Sequence, residues 1–307
     1  MTTDGEAPRE NPDLVAASSA ALPTLLRLLD VEEIDSGLFR AEALKAGQRI
    51  YGGLVVAQAL VAAERTVEAR VPHSLHGYFL LPGDPYAPIV YEVETLRDGG
   101  SFSTRRCRAT QHGKVIFTLA ASFQIEEDGP EHAAAPPPAP DPDTLPGEAE
   151  LARRFAAVLG EPLRRYLESP RPVEMRPADP EAYFRRAEGA AATQAIWMRA
   201  AGRLPDDPRV HRALLAYMSD LTLIDTALLP HGRMVVACDL QLASLDHALW
   251  MHRPFRADEW LLYAQESPTA GGARGLTRGH VFSRDGRLVA SSMQEGLMRP
   301  SRQAGRR

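Results

Sequence analysis

Apolar and polar positions alternate along most of the chain, and two stretches break that alternation with a helical period instead. The first is residues 54–63, LVVAQALVAA, opened by Gly52-Gly53; its length and alanine content predict a buried helix rather than a strand. A short helix over residues 21–30 and a strand over 38–44 precede it. Strand patterns follow at 73–80, 89–97, 102–111 and 115–125. Turn signals separate them at Pro82-Gly83-Asp84, Asp98-Gly99-Gly100 and His112-Gly113-Lys114. Residues 127–148 then shift to Pro, Ala, Asp and Glu, an extended linker without a core of its own. The helical pattern after it, through residue 169, is expected on the surface. Strands resume at 172–177, 193–202, 235–244, 260–267, 274–283 and 288–298.

The second helical stretch, residues 212–228 (RALLAYMSDLTLIDTAL), reads as one helix and carries Asp220 among apolar neighbours. Ala213, Ala216, Tyr217, Leu223, Ile224 and Ala227 share its face at three-and-four spacing, while Ser219, Thr222 and Thr226 fall on another stripe. A carboxylate pointing into a packed interior has to be paired, hydrogen-bonded or used. Desolvation raises its pKa toward the range of a base working near neutral pH. From this helix alone, a structural acid satisfied by backbone amides and a general base stand as equal alternatives.

The halves echo one another: a strand, a buried helix, then an antiparallel run. Ser74-Leu75 resembles Ser244-Leu245, and Leu119–Gln124 (LAASFQ) resembles Val289–Gln294 (VASSMQ). The predicted division is a tail (1–20), an α+β unit (21–126), the linker with its surface helix (127–168), a second α+β unit (169–300) and a tail (301–307). Two such units joined edge to edge would protect their sheet edges. The first-half counterpart of Asp220 is Gln58, which carries no charge; Ser74 and Gln124 are retained.

Composition narrows the function. The 307 residues are 44% hydrophobic and 24% charged with a formal net charge of -5, an ordinary globular balance that gives nucleic-acid binding no support. Cys107 and Cys238, the two cysteines, sit in strand-like apolar settings and form no metal or redox motif, which fits a reducing compartment. No run approaches a membrane span, the acidic N-terminus is unlike a secretory signal, and the closing GRR is not a peroxisomal address. The expected location is therefore the cytoplasm.

Several ordered motifs carry a resemblance. YGGLVVAQAL (51–60), HSLHGYFLLPGD (73–84), LPDDPRVHRALLAYMSDL (204–221), ASLDHALWMHRPFRADEWLLY (243–263) and DGRLVASSMQEGLMR (285–299) resemble the acyl-CoA thioesterase II (TesB-type) family, over residues 21–300. That resemblance implies an α+β double hotdog fold, in which each of two antiparallel sheets wraps a long central helix. It places the catalytic roles on Asp220, Ser244 and Gln294, with acyl-CoA as substrate, water as direct nucleophile, and no metal or redox cofactor. The chain departs from the family pattern at Ser244, where Thr is frequent, and at Leu54, where Gln is common. One active site per chain, on the second helix, and a symmetric homo-oligomer follow as expectations.

Four further residues are candidate substrate contacts: Gln58, His73, His247 beside Ser244, and Arg274, one of several arginines able to meet coenzyme A phosphates. His73 and His76 have H-x-x-H spacing but fall on opposite faces of a strand, which disfavours a metal site. The sequence has no G-x-S-x-G elbow, which disfavours an α/β-hydrolase. Two rival functions are a non-catalytic acyl-CoA-binding module and an enoyl-CoA hydratase, the latter needing a His–acid pair that the Asp220 segment lacks.

Overall fold

A computed structural model describes residues 12–235 and 240–300; Cys238 and both chain ends lie outside the described residues. The strands are β1 Glu32–Asp35, β2 Leu38–Ala41, β3 Val71–Phe79, β4 Ile89–Asp98, β5 Phe102–Gln111, β6 Lys114–Gln124, β7 Val173–Pro177, β8 Thr193–Ala200, β9 Leu240–Ser244, β10 Asp246–Met251, β11 Leu261–Gly271, β12 Arg274–Ser283 and β13 Leu288–Pro300. All thirteen belong to one antiparallel sheet, in the order β1-β2-β4-β5-β6-β3-β10-β13-β12-β11-β8-β7, with β9 also on β13. The order reads the same from both edges once the halves are matched. β3 and β10 meet at the centre, where Leu75 faces Leu249. β10 was not among the predicted strands, because its six residues begin with the polar pair Asp246-His247.

The ladders fix which residues correspond. A bulge follows the Ala109–Phe117 pair in β5–β6 and the Val281–Ala290 pair in β12–β13. Tyr91 faces Ala109, and Tyr263 faces Val281. Counting back from each bulge, Arg105 faces Ala121 where Thr277 faces Gln294. Gln294 therefore corresponds to Ala121, not to Gln124, and the expectation that the first half retains this glutamine is overturned. The similar LAASFQ and VASSMQ segments sit three positions apart in register.

Helix α1 spans Pro12–Leu29, so helix begins well inside the stretch expected to be a tail. Helix α2, Gly52–Glu64, is buried on every side. It lies over β3 to β6 and packs against α6, Pro208–Ser219. The predicted single helix over 212–228 is two. The chain leaves helical geometry after Asp220 (φ -92°, ψ -6°) and resumes as α7, Leu223–Thr226. The carbonyl of Ser219, freed from the helix ladder by the break, accepts the Tyr263 hydroxyl at 2.9 Å. Thr222 and Thr226, expected on another stripe, are buried as well and are held by Gln265 and Gln194. A helical period cannot reveal such a break, since the apolar spacing continues across it.

The Pro/Ala segment is not free of the core. It crosses the outer face of the second half, where Trp197 Nε1 donates to Pro140 O at 2.9 Å and Arg176 donates to Pro142 O at 2.8 Å. Leu145 joins Trp197, Trp260, Leu262 and Phe282 in a separate buried cluster. Strands β8, β11 and β12 are thus apolar on both faces, whereas β4 and β5 turn ion pairs such as Glu94–Arg106 and Glu92–Arg108 outward. The helical pattern after the linker splits into α3 (Glu148–Arg154) and α4 (Glu161–Glu168). They bury Leu151, Phe155 and Leu163 against Phe184 of α5 (Pro180–Phe184).

Candidate active site

Asp220 is 7% exposed and ends α6 against the start of α2. Its Oδ1 accepts from Gln294 Nε2 at 2.7 Å and from Ser244 Oγ at 3.2 Å. The backbone N–H of Gly53 also donates to the carboxylate. Burial pushes the carboxyl from 3.8 up to about 6, and these three hydrogen bonds pull against that rise without cancelling it. Among the described residues, no cationic side chain contributes to the balance. The acid therefore sits near a base's useful pKa and is held by neutral donors.

Each partner is placed by a different element. Ser244 closes β9, with Gly296 opposite. Gln294 lies inward on β13, 1% exposed, and its carbonyl accepts Thr277 Oγ1 at 3.1 Å. Gly52 and Gly53 open α2, where both need to be glycine. A Cβ on Gly52 would stand 2.8 Å from Asp220 Oδ2 and 3.0 Å from the Phe79 ring. One on Gly53 would stand 2.5 Å from the carbonyl oxygen of Tyr217. The close approach of α2's amino end to α6 is what brings a positive helix terminus onto the carboxylate. Tyr51 closes the side of this contact, its hydroxyl donating to Tyr217 O at 2.9 Å.

The structure brings Asp220, Ser244 and Gln294 into one hydrogen-bonded cluster. His247 lies next to it on β10, 1% exposed, with Nε2 2.8 Å from Ser219 Oγ. Burial there lowers its pKa to about 4, so the ring is neutral, and it contacts scaffold rather than an open surface. The other three candidates lie apart from this cluster. Gln58 is fully buried and satisfied by the scaffold: Nε2 donates to Leu28 O and Glu42 O, and Oε1 accepts the Tyr91 hydroxyl. His73 sits six residues along β3 from Phe79, roughly 20 Å at strand rise, and bonds Ser122 Oγ. Arg274 pairs with Glu295 on the sheet face opposite to Gln294. Sequence reasoning missed Gly53, Tyr263 and Gln265, whose roles arise only when distant segments meet.

Among the described residues, no cluster of His, Cys, Asp and Glu has a metal-binding arrangement, and no helix is long and apolar enough to cross a membrane.

Residues 40–124 match the acyl-CoA thioesterase N-terminal domain, and residues 168–297 match the acyl-CoA thioesterase family. Acyl-CoA thioesterase 2 of Haemophilus influenzae is 42% identical over 283 residues, 92% of this chain and 99% of that protein. The crystal structure of an acyl-CoA thioesterase II from Mycobacterium marinum is 45% identical, with a TM-score of 0.75 over 91% of this chain and 99% of that one. A hot-dog-fold protein of Alicyclobacillus acidocaldarius, 22% identical, superposes with a TM-score of 0.72 over 91% of this chain and 98% of its own, which speaks to fold alone. The chain has the hot-dog fold and belongs to the acyl-CoA thioesterase family of thioester hydrolases.

Proposed function

We propose that the protein hydrolyses acyl-CoA thioesters to the free acid and coenzyme A, with Asp220 as general base, in a chain built of two hot-dog units. The single observation that carries this reading is the buried, uncompensated Asp220 carboxylate held by Gln294, Ser244 and Gly53. Oδ1 is engaged by the two side chains, and a small residue at position 52 leaves room beside Oδ2. A water bound there gives one proton to Asp220 as its oxygen attacks the thioester carbonyl carbon. Ser244 donates to Asp220 and so keeps its own lone pairs for the water's second hydrogen. The second N–H of Gln294 steadies the water oxygen. When the C–S bond breaks, the thiolate sulfur takes the proton from Asp220, and carboxylate and charge return to their starting state. The positive amino end of α2 faces the oxyanion side of the cleft, while the Gly53 N–H stays on the Asp220 carboxylate.

Only the second half carries the acid. The first half has Gln58 on its helix and Ala121 at the position matching Gln294, which supports one active site per chain. A hydratase is disfavoured because His247 faces Ser219 rather than pairing with Asp220. Self-association through the outer sheet faces and a cytoplasmic location belong to the same reading; sedimentation tests the former. Release of free thiol from acyl-CoAs of increasing chain length tests the reaction, with Gln294→Ala beside wild type. Turnover reduced by about tenfold or more in the variant supports the water-positioning role. A folded wild type inactive on every chain length sinks the reading in favour of a binding module.

A further inference from the structure

Gln294 can hold Asp220 correctly only if its amide points one way. Its Nε2 end faces the carboxylate, and its buried Oε1 has the His247 side chain as its one hydrogen-bonding neighbour among the described residues. His247 Nδ1 is likewise buried. The two belong together. β10 and β13 pair Ala248 with Met293, so the next step of the antiparallel ladder sets His247 across from Gln294, both turned inward. On the far side of the ring, Nε2 lies 2.8 Å from Ser219 Oγ, which is also 2.9 Å from the carbonyl of Ala216.

Ser219 has one hydroxyl proton and two acceptors to choose between. If it goes to Ala216, the ring must donate Nε2–H, and a bare Nδ1 lone pair is left against the Gln294 carbonyl oxygen. If it goes to Nε2, the ring carries its proton on Nδ1, and the two buried atoms form one hydrogen bond. We propose that His247 is a positioning residue: as the neutral Nδ1–H tautomer it donates to Gln294 Oε1 and locks the amide with Nε2 on Asp220. This rests on the reading of Asp220 as base. An unlocked amide could turn its oxygen to a protonated Asp220 and hold the proton there. A locked one keeps Oδ1 as an acceptor and leaves Oδ2 to exchange protons with water and substrate.

The first half supplies a contrast within the same chain. Matching the bulged ladders puts Leu75 where the second half has His247 and Ala121 where it has Gln294, and Leu75 and Ala121 face each other directly. The half without the carboxylate has an apolar pair, and the half with it has this polar pair. Burial lowers the His247 pKa, in keeping with a neutral ring. The titratable groups turned toward this cluster are Asp220 from α6, Tyr263 from β11 and His247 itself. Asp246 and Glu295, their neighbours in sequence, point to the opposite sheet face.

The direct test is 15N NMR of the His247 imidazole in the full-length wild-type protein, assigned by its disappearance in His247→Asn. The tautomer protonated at Nδ1 is expected; protonation at Nε2 overturns the proposal. Kinetics give the second readout. Asn can place an N–H near the Nδ1 position, whereas Gln reaches toward Nε2 and loses that donor. His247→Asn is expected to keep kcat near wild type. His247→Gln is expected to lower kcat about tenfold, the worth of roughly one buried hydrogen bond, with KM little changed. In the Gln variant the acid limb of the pH profile should also move to higher pH. Equal losses in both variants with an unmoved acid limb mean a merely structural histidine. Asp220→Asn in the same series separates the two claims. If it stays active, the base assignment falls and the positioning role with it. If it is dead while the ring is protonated at Nε2, only the positioning role falls.

Discussion

Asp220→Asn should stabilise the protein above neutral pH while abolishing its chemistry. The carboxyl rises from 3.8 to about 6 on folding because burial outweighs its three hydrogen bonds. The folded protein therefore binds more protons than the unfolded chain between those two values, and stability falls as pH rises through that window. Each unit is worth about 1.4 kcal/mol, so the charged acid costs about 3 kcal/mol at pH 7 and above, and nothing below about pH 4. Asn removes that cost. It keeps acceptors for Gln294 and Ser244 but sets an NH2 toward the Gly53 amide, offsetting about 1 kcal/mol. The expected gain at pH 8 is about 2 kcal/mol, a melting-point rise of a few degrees by the usual size scaling. Thermal unfolding of both proteins between pH 4 and pH 8 isolates the effect, since every other titrating group is common to them. A wild-type-minus-mutant stability difference that does not change with pH, or that becomes more negative on acidification, would refute the assignment of a raised pKa to Asp220.

Activity follows the same ionisation: kcat/KM should rise with pH through about 6 and then level, because Asp220 must be deprotonated to accept a proton. A rate that stays flat from pH 5 to 8 contradicts this. Gly52→Ala places a methyl 2.8 Å from Oδ2. Turnover should drop by about tenfold or more as the acid is displaced, with circular dichroism unchanged. Tyr263→Phe leaves the Ser219 carbonyl without its donor and should lower stability by about 1–3 kcal/mol, read by urea denaturation, together with kcat.

The strands and the buried α2 were legible in the chain because one face of each is apolar, and alternation or an unbroken apolar run records that directly. Asp220 stood out for a related reason, as a charge at a position whose helical neighbours are all apolar. Placing Ser244 and Gln294 beside it needed the family resemblance, since nothing local links residues so far apart. The misreadings share a cause. The break after Asp220 is stabilised by Tyr263, Gln265 and Gln194, all remote in sequence, so the apolar period runs on past it unmarked. Gln58 looks like a polar residue awaiting a ligand until Leu28, Glu42 and Tyr91 arrive to satisfy it. Gln124 resembles Gln294 in its local motif, but the ladder bulge, a property of two strands together, assigns that place to Ala121. The Pro/Ala segment has the composition of a free linker, and only the outward Trp197, Trp260 and Phe282 require something to cover them.

Free-thiol release from an acyl-CoA by Asp220→Asn beside wild type, at saturating substrate and pH 8, bears most directly on the central claim. Loss of a general base predicts a fall of about 100- to 10,000-fold in kcat with the protein folded and at least as stable as wild type. Turnover by Asp220→Asn within a few-fold of wild type would contradict the role given to this carboxylate.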